Sequence, residues 1–413
     1  MQNYPRMNTS SNETAQQNVC RPFPSAIAQL SFSGDFGGRE KVALGLYRSL
    51  LGIGQISLLY VVVEERAGKN RNENLLRYLG EETDTFRLFQ TSSRFSPLLL
   101  FKLASSFKEQ GVRVVHCHCY KSLAYSILMR FLRLLDAVVV YTLHGLILRD
   151  SWNSRLIKRF HALGLRMTDG VLGCSREILV SSLPDPKGIA TASISNALDL
   201  PEEDFAALQA SKSPAKEELA KRYQLDPEGL VVINVGRLCP QKNYPLYLEL
   251  IRQELTDNPG SKTNFLIIGN GELLHELETL ANLLGVRDKV VFTGFVADMD
   301  LVYRAADMLV QTSTWEGTPM CLLEARSYGL PVIAPAVGGN VDVVDSGQDG
   351  FLYPKNDIHA LKCHYVSYMR SPEIRKGHGK AAFEKTGKNF NTQDWVLKHL
   401  AFYSRLTRCE VAQ

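Results

Sequence analysis

The stretch Met308 to Ala336, MLVQTSTWEGTPMCLLEARSYGLPVIAPA, opens and closes on short apolar runs, Met308–Thr312 and Pro331–Ala336. Both have strand length, and one helix fits between them. Thr318 is placed to cap that helix, and Pro319 suits its first position, where a missing N–H costs nothing. Gly329 ends it and Pro331 prevents continuation. Strand, helix and strand in this order read as a βα unit of a parallel sheet, whose ligands bind at the carboxyl ends of the strands. Glu316 then lies in the loop before the helix and Glu324 inside it. The free backbone N–H groups from Met320 onward face an anion. One carboxylate beside a phosphate-binding helix start, and a second placed to accept ribose hydroxyls, suit a nucleotide diphosphate ester. A capped helix with two solvated glutamates fits the same residues.

The alternation extends both ways. Strands are expected at Leu230–Arg237, Phe265–Asn270, Val290–Thr293 and Gly350–Tyr353 in the second half, and at Ala26–Ser33, Ile56–Val63, Val112–His118, Ala137–His144, Gly170–Cys174 and Ile189–Ser195 in the first. Helix candidates lie between them at Arg39–Leu51, Pro97–Glu109, Ser122–Leu135 and Ser154–Leu165. The polar segment from Asn196 to Ser213 reads as a connection and the entry to a helix ending near Tyr223. The expectation is an α/β chain of two doubly wound domains facing a cleft. Residues 1–22 form a polar tail, 23–197 the first domain, 198–390 the second, and 391–413 a C-terminal helix that can pack back on the first.

With 413 residues, 45% hydrophobic and 22% charged, the chain has material for two cores. No apolar run reaches the ~18–20 residues of a membrane span, and the first residues lack the pattern of an export signal, so a cytoplasmic location is expected. The eight cysteines are scattered without a C-x-x-C, which fits reduced thiols. The net charge of +4 is uneven: residues 1–200 carry +8 and the remainder −4. Lys121, Arg130, Arg133, Arg149, Arg155, Lys158, Arg159 and Arg166 outweigh Asp136 and Asp150. Such a face attracts anionic headgroups or stays a solvated surface, and a peripheral contact with an anionic membrane is the favoured partner.

The Glu316–Glu324 segment resembles the E-x7-E signature of retaining glycosyltransferases of the GT-B fold, in particular glycosyltransferase family 4 (glycosyl transferases group 1). Other segments are similar to that family in the same order. Val235-Gly236-Arg237 with Lys242 resembles its V-G-R-x-x-x-x-K segment, whose Arg and Lys hold the donor diphosphate. Gly269-Asn270-Gly271 resembles its strand-to-glycine turn, and Thr293-Gly294-Phe295-Val296 the turn whose backbone meets the nucleobase. Gly37-Gly38-Arg39-Glu40 is similar to the family's glycine loop. Thr142-Leu143-His144-Gly145 resembles its T-x-H-G strand end, and His118 corresponds to its histidine near the sugar. The resemblance covers about Leu30 to Pro354. Two departures stand out: Ala197 replaces the hinge glycine, and Asn340 with Asp342 follows Gly338-Gly339, where the family often has Glu.

What the resemblance implies is a retaining, metal-independent transferase with no cofactor beyond its nucleotide-sugar co-substrate, a UDP- or GDP-sugar. Glu316 and His118 are the expected catalytic residues. Arg237, Lys242, Gly38, Thr318, Pro319 and Met320 would hold the diphosphate and Glu324 the ribose. Gly271 and Val296 would lie at the base, and Gly37 and His144 on the acceptor side. The acceptor would be a glycan or lipid-linked glycan of polysaccharide or lipopolysaccharide synthesis. Other readings fit these residues less well. A scaffold or regulatory partner of another glycosyltransferase would not need Glu316, Glu324, Arg237 and Lys242 together. An NAD-dependent oxidoreductase needs a third glycine where Leu274 stands. No G-x-x-x-x-G-K-S/T loop and no nucleic-acid motif is present. Metal binding by His116 and His118 lacks a third ligand, and Asp298-Met299-Asp300, though D-x-D in form, precedes a helix and reads as its cap.

Overall fold

In the computed structural model, residues 26–33, 37–54, 57–64, 84–91, 93, 95–145, 159 and 161–407 are described. The expected tail, Arg149, Asp150, Arg155, Lys158 and the start of the helix expected at Ser154–Leu165 lie outside them.

Among the described residues, seven parallel strands form the first sheet: β1 (Ile27–Ser33), β2 (Ser57–Glu64), β3 (Phe86–Thr91), β4 (Val114–Cys117), β5 (Val138–Leu143), β6 (Gly170–Gly173) and β7 (Ala190–Ser193), in the order β3-β2-β1-β4-β5-β6-β7. Six form the second: β8 (Val231–Val235), β9 (Asn264–Ile268), β10 (Val290–Gly294), β11 (Met308–Val310), β12 (Val332–Pro335) and β13 (Phe351–Tyr353), in the order β10-β9-β8-β11-β12-β13. Central strands read as apolar runs because helices cover both faces, as in Phe265, Leu266, Ile267 and Ile268 of β9. β3 was missing from the sequence reading. It is an edge strand only partly buried, so polar Arg87 and Gln90 interrupt its apolar signal.

Among the described residues the helices are α1 (Gly38–Gly52), α2 (Pro97–Glu109), α3 (Tyr120–Phe131), α4 (Arg176–Ser182), α5 (Phe205–Tyr223), α6 (Tyr244–Asp257), α7 (Leu274–Leu283), α8 (Asp300–Ala305), α9 (Met320–Ser327), α10 (Asn340–Val343), α11 (Ile358–Arg370), α12 (Pro372–Asn389) and α13 (Thr392–Thr407). Each sheet reverses its winding at one point, β1/β4 in the first and β8/β11 in the second. Clefts for ligands open at such points, at the carboxyl ends of the strands. The two sheets have separate cores, one around Leu30, Val115 and Val139 and others around Ile233, Leu309 and Val332 or Tyr247, Phe265 and Ile333. α13 joins the first sheet: Trp395, Val396, Leu400 and Tyr403 pack with Ile27, Leu46, Val114 and Val140. Among the described residues no helix is long and apolar enough to cross a membrane.

Candidate functional site

β8 ends at Val235, and a tight turn at Pro240–Lys242 carries the Lys242 side chain into the second domain's switch point. β11 ends at Val310, and its following loop brings Glu316 to the same place. Lys242 Nζ lies 2.5 Å from Glu316 Oε1. Ser313 Oγ donates to the same oxygen at 2.6 Å, and the Gln311 and Gln241 amides approach the carboxylate at 3.3 and 3.4 Å. Burial alone would lower the Lys242 pKa, but the adjoining Glu316 carboxylate outweighs it and holds the ammonium above its ordinary value. The loop is backed by Gly338 and Gly339, at which a Cβ would run into the carbonyl oxygens of Glu316 and Gly317. Asn340, in the departure from the family pattern, is fully buried and donates to Gln311 Oε1 at 2.7 Å and to Pro335 O at 2.9 Å. It thereby orients the amide that faces Glu316. Sequence reading missed Gln311, Ser313 and Asn340, whose parts exist only once the loops meet.

α9 begins at Met320, with Pro319 at its cap position and no side-chain cap. Thr318 therefore does not cap the helix as expected. Its hydroxyl instead donates to Cys174 O of the first domain, and its oxygen accepts from Asn196 N–H at 3.3 Å. Asn196 Nδ2 donates to Thr318 O at 3.0 Å. The polar connection won this threonine because the segment is buried between the domains, where every polar group needs a partner. Leu322 and Leu323 N–H donate to Pro319 O, which leaves the first N–H groups of α9 for an anion. α1 starts beside it: a Cβ at Gly38 would lie 3.7 Å from Met320 Cγ. Two helix N-termini, each with partial positive charge, therefore meet at the cleft.

Glu324 is one turn further along α9. Lys41 Nζ of α1 donates to its Oε1 at 2.7 Å and Tyr303 Oη to its Oε2 at 2.7 Å. These residues line a cavity of about 390 Å³ bounded by α8, α9, the start of α13 and Ala197–Pro201 of the connection. Arg237 stands apart from the Lys242–Glu316 pair: it is exposed and pairs with Glu272 at 3.1 Å. Gly271 permits close approach of the turn after β9 to Leu238, and Val296 packs partly against the second core. Asp298 accepts from Asp300 N–H at 3.1 Å, a local turn at the start of α8, while Asp300 pairs with Arg304 at 2.7 Å.

On the first domain, Gly37 is exposed and its N–H donates to Glu40 Oε2 at 3.1 Å, closing the first turn of α1. His118 was expected to face the sugar. The structure buries it, 2% exposed, with both ring nitrogens engaged: Nε2 lies 2.8 Å from Gln29 Oε1 and Nδ1 3.1 Å from His144 Nε2. His144 is half-buried beside Gly145. Burial first, then neighbouring histidines and Arg39, holds the His118 pKa well below its ordinary value; His144 is lowered by burial and then Arg39. His116 is bonded on both sides, to Thr142 Oγ1 at 2.6 Å and Tyr403 Oη at 2.7 Å. Among the described residues no group of three or more His, Cys, Asp or Glu is arranged to hold a metal. Of the expected basic face, Arg133, Arg159 and Arg166 are exposed, whereas Arg130 bonds to Asp169 and Ala137 O.

The chain matches two family models, Glycosyltransferase Family 4 over residues 37–179 and Glycosyl transferases group 1 over residues 215–385. It is 31% identical over 272 residues to an Escherichia coli UDP-Gal:alpha-D-GlcNAc-diphosphoundecaprenol alpha-1,3-galactosyltransferase, covering 63% of this chain and 67% of that protein. It is 33% identical over 175 residues to the Arabidopsis thaliana sulfoquinovosyl transferase SQD2, covering 41% of this chain but 32% of that protein. Among solved structures it resembles Anabaena HepE in complex with UDP and glucose, with a TM-score of 0.75 at 19% identity, covering 92% of this chain and all of that one. It also resembles sucrose-phosphate synthase from Thermosynechococcus elongatus, with a TM-score of 0.74 at 20% identity, covering 94% and 100%. Two facing parallel-sheet domains, the ordered motifs and these matches together place the chain in glycosyltransferase family 4, the group 1 glycosyl transferases, with the GT-B fold.

Proposed function

We propose that this protein transfers a sugar, with retention of anomeric configuration, from a nucleoside diphosphate sugar to a hydroxyl of a glycan or lipid-linked glycan in cell-envelope or extracellular polysaccharide synthesis. The observation that carries this reading is the buried Lys242–Glu316 pair beside the paired starts of α1 and α9. The diphosphate lies against the α9 N-terminus between Thr318 and Met320, with Gly38 opposite. Lys242 meets the charge that develops on the departing phosphate, and Arg237 turns from Glu272 to join it. Glu316 orients the transferred sugar and steadies positive charge at its anomeric carbon. Glu324 accepts the ribose hydroxyls in exchange for its Lys41 bond, with the base near Gly271 and Val296. Two cations and two helix starts supply the positive charge, so the reading needs no divalent cation. The family and the galactosyltransferase relative, whose named acceptor is a diphosphoundecaprenol-linked sugar, support this reading.

A thermal-shift screen of UDP- and GDP-sugars in EDTA tests it, because a ligand that binds only the folded state raises its stability. At least one nucleotide sugar raises the melting temperature, and Glu324→Ala abolishes that rise. No stabilisation by any of them overturns the reading.

The first domain also offers a surface for peripheral contact with anionic lipid at the cytoplasmic face. Phe95, Leu98 and Phe101 are exposed at and beside the start of α2, with Lys102 and Lys108 along it. Phe131 and Leu132 are exposed at the end of α3, beside Arg133. Apolar side chains rimmed by cations bind an anionic interface. Co-flotation with phosphatidylglycerol vesicles, reversed by salt and lost in Leu98→Glu/Phe101→Glu, is the expected result; flotation of neither protein removes the membrane from the reading.

A further inference from the structure

A cation stands where the winding of each sheet reverses. In the second sheet it is Lys242, held by Glu316. In the first it is Arg39, the second residue of α1, at the β1/β4 point. Its side chain turns back over the carboxyl end of β1. Nη2 donates to Phe32 O at 3.3 Å, and Nε and Nη2 donate to Glu40 Oε1 at 2.9 and 2.5 Å. These bonds engage three of the five N–H groups of the guanidinium. The two on Nη1 have no partner among the described residues, and the side chain is 35% exposed. A guanidinium held along one edge and open at the other is an oriented, permanently charged fork for an oxyanion.

The direction of the side chain separates it from the donor. Gly38, one residue earlier, faces Met320 at the start of α9. Arg39 instead reaches toward the first domain's own sheet, where its charge bears on His118 and His144 at the ends of β4 and β5. Its open edge is therefore on the acceptor side of the cleft.

Phe32, which accepts from Arg39, also begins an aromatic row. Its ring lies 4.9 Å from Tyr125 of α3, centre to centre, and Tyr125 lies 5.4 Å from Phe95. The Tyr125 hydroxyl accepts from Ser96 N–H at 2.7 Å, which ties the start of α2 to the row. Phe95 is exposed, and so are Leu98 and Phe101 beyond it. Outward from the cleft the order is thus cation, aromatic row and exposed apolar patch. A molecule in which a phosphate joins a sugar to a hydrocarbon tail has the same order.

We propose that Arg39 binds the phosphate that joins the acceptor glycan to its lipid, and that the tail leaves across Phe95 toward Leu98 and Phe101. This rests on the transfer reaction read above and adds to it a charge that the acceptor must carry.

Calorimetry with farnesyl diphosphate, below the concentration at which it aggregates, tests the site. The full chain is used, with the donor site filled by the nucleoside diphosphate of the sugar that gives the largest thermal shift. Farnesol and inorganic diphosphate are the comparison probes. The wild type is expected to bind farnesyl diphosphate at least about tenfold more tightly than either, and Arg39→Gln to weaken that binding about ten- to hundredfold, the worth of hydrogen bonds to a charged group. Affinity for the nucleoside diphosphate stays within about twofold in the variant. Unchanged binding of farnesyl diphosphate by Arg39→Gln overturns the proposal, and so does a parallel loss of nucleoside diphosphate, which would put Arg39 on the donor. Farnesol bound as tightly by the wild type removes the charge requirement, and inorganic diphosphate bound as tightly removes the lipid; either result also overturns it. If the glutamine variant does not fold, phenylglyoxal modification of wild-type Arg39, read by mass spectrometry, decides. Farnesyl diphosphate slows that modification and the nucleoside diphosphate does not; equal rates with and without farnesyl diphosphate overturn the site. If no nucleoside diphosphate binds, the function reading fails, while the Arg39 site is still judged by whether Arg39→Gln loses farnesyl diphosphate.

Discussion

Glu316 and Lys242 are 74 residues apart in the chain and 2.5 Å apart in space, with Ser313, Gln241 and Gln311 taking up the remaining capacity of the carboxylate. A satisfied buried pair of this kind is rigid, so it presents its charge to a ligand without reorganisation. Lys242→Ala is expected to slow transfer by about 10²–10³-fold, measured as kcat with the best nucleotide sugar. A rate within threefold of the wild type would remove Lys242 from the reaction. Arg326 is a structural counterpart on the same helix. It is wholly buried and meets Asp349 through both guanidinium nitrogens at 3.0 and 2.9 Å. Arg326→Met strips both guanidinium bonds from the buried Asp349 carboxylate, leaving it the Asp345 N–H at 2.8 Å and Lys385 Nζ at 3.4 Å, and is expected to cost about 3 kcal/mol, read from urea unfolding. Spacing made Glu316 and Glu324 legible in the sequence, since a proline at one end and a glycine at the other fix where the helix lies. It left Lys41 invisible as the partner of Glu324, because 283 positions separate them and no local pattern encodes that meeting.

α13 is the element whose role depends most on distant residues. Its Tyr403 bonds His116, and its His399 lies 5.9 Å from the His116 ring, ring centre to ring centre. Burial depresses the His116 pKa well below its ordinary value of 6.5 and the His399 pKa to about 4. The unfolded chain takes up these protons from its ordinary value downward, whereas the folded chain resists them. Stability is therefore complete above pH 6.5 and is lost as the pH falls toward the folded values. The melting temperature is expected to fall between about pH 6.5 and 4, with a shallower slope in His399→Phe. Equal slopes in the two proteins would show that His399 does not contribute. The helix itself reads clearly in the sequence. Its docking face does not, because Trp395, Leu400 and Tyr403 make an apolar stripe that suits any sheet.

At the scale of the molecule, the two domains touch through small residues. A Cβ at Gly145 would press on Trp315, and one at Gly317 would lie 2.6 Å from Cys174 Sγ. Thr318 reaches Cys174 O and Asn196, and Lys41 reaches Glu324. Closure of this kind excludes water from a reaction whose donor would otherwise hydrolyse. Gly145→Val is expected to prop the domains apart, lowering transfer at least tenfold while nucleoside diphosphate affinity stays within twofold, with a larger radius of gyration in X-ray scattering. Unchanged scattering and rate would mean that the Gly145–Trp315 approach does not limit closure.

The sequence by itself determined the doubly wound architecture, the family, and the loop and helix that carry Glu316 and Glu324. The architecture and the helix rest on apolar periodicity and on turn chemistry within some thirty residues, and the family rests on the resemblance of motifs that recur in order from about Leu30 to Pro354. Tertiary structure alone decided that Thr318 ties the domains together instead of capping α9, that Arg237 faces outward toward Glu272, and that His118 is covered while His144 stands at the cleft. The reason is physical: a buried donor or acceptor must find a partner wherever the fold supplies one, and that partner is chosen by packing between residues far apart in the chain.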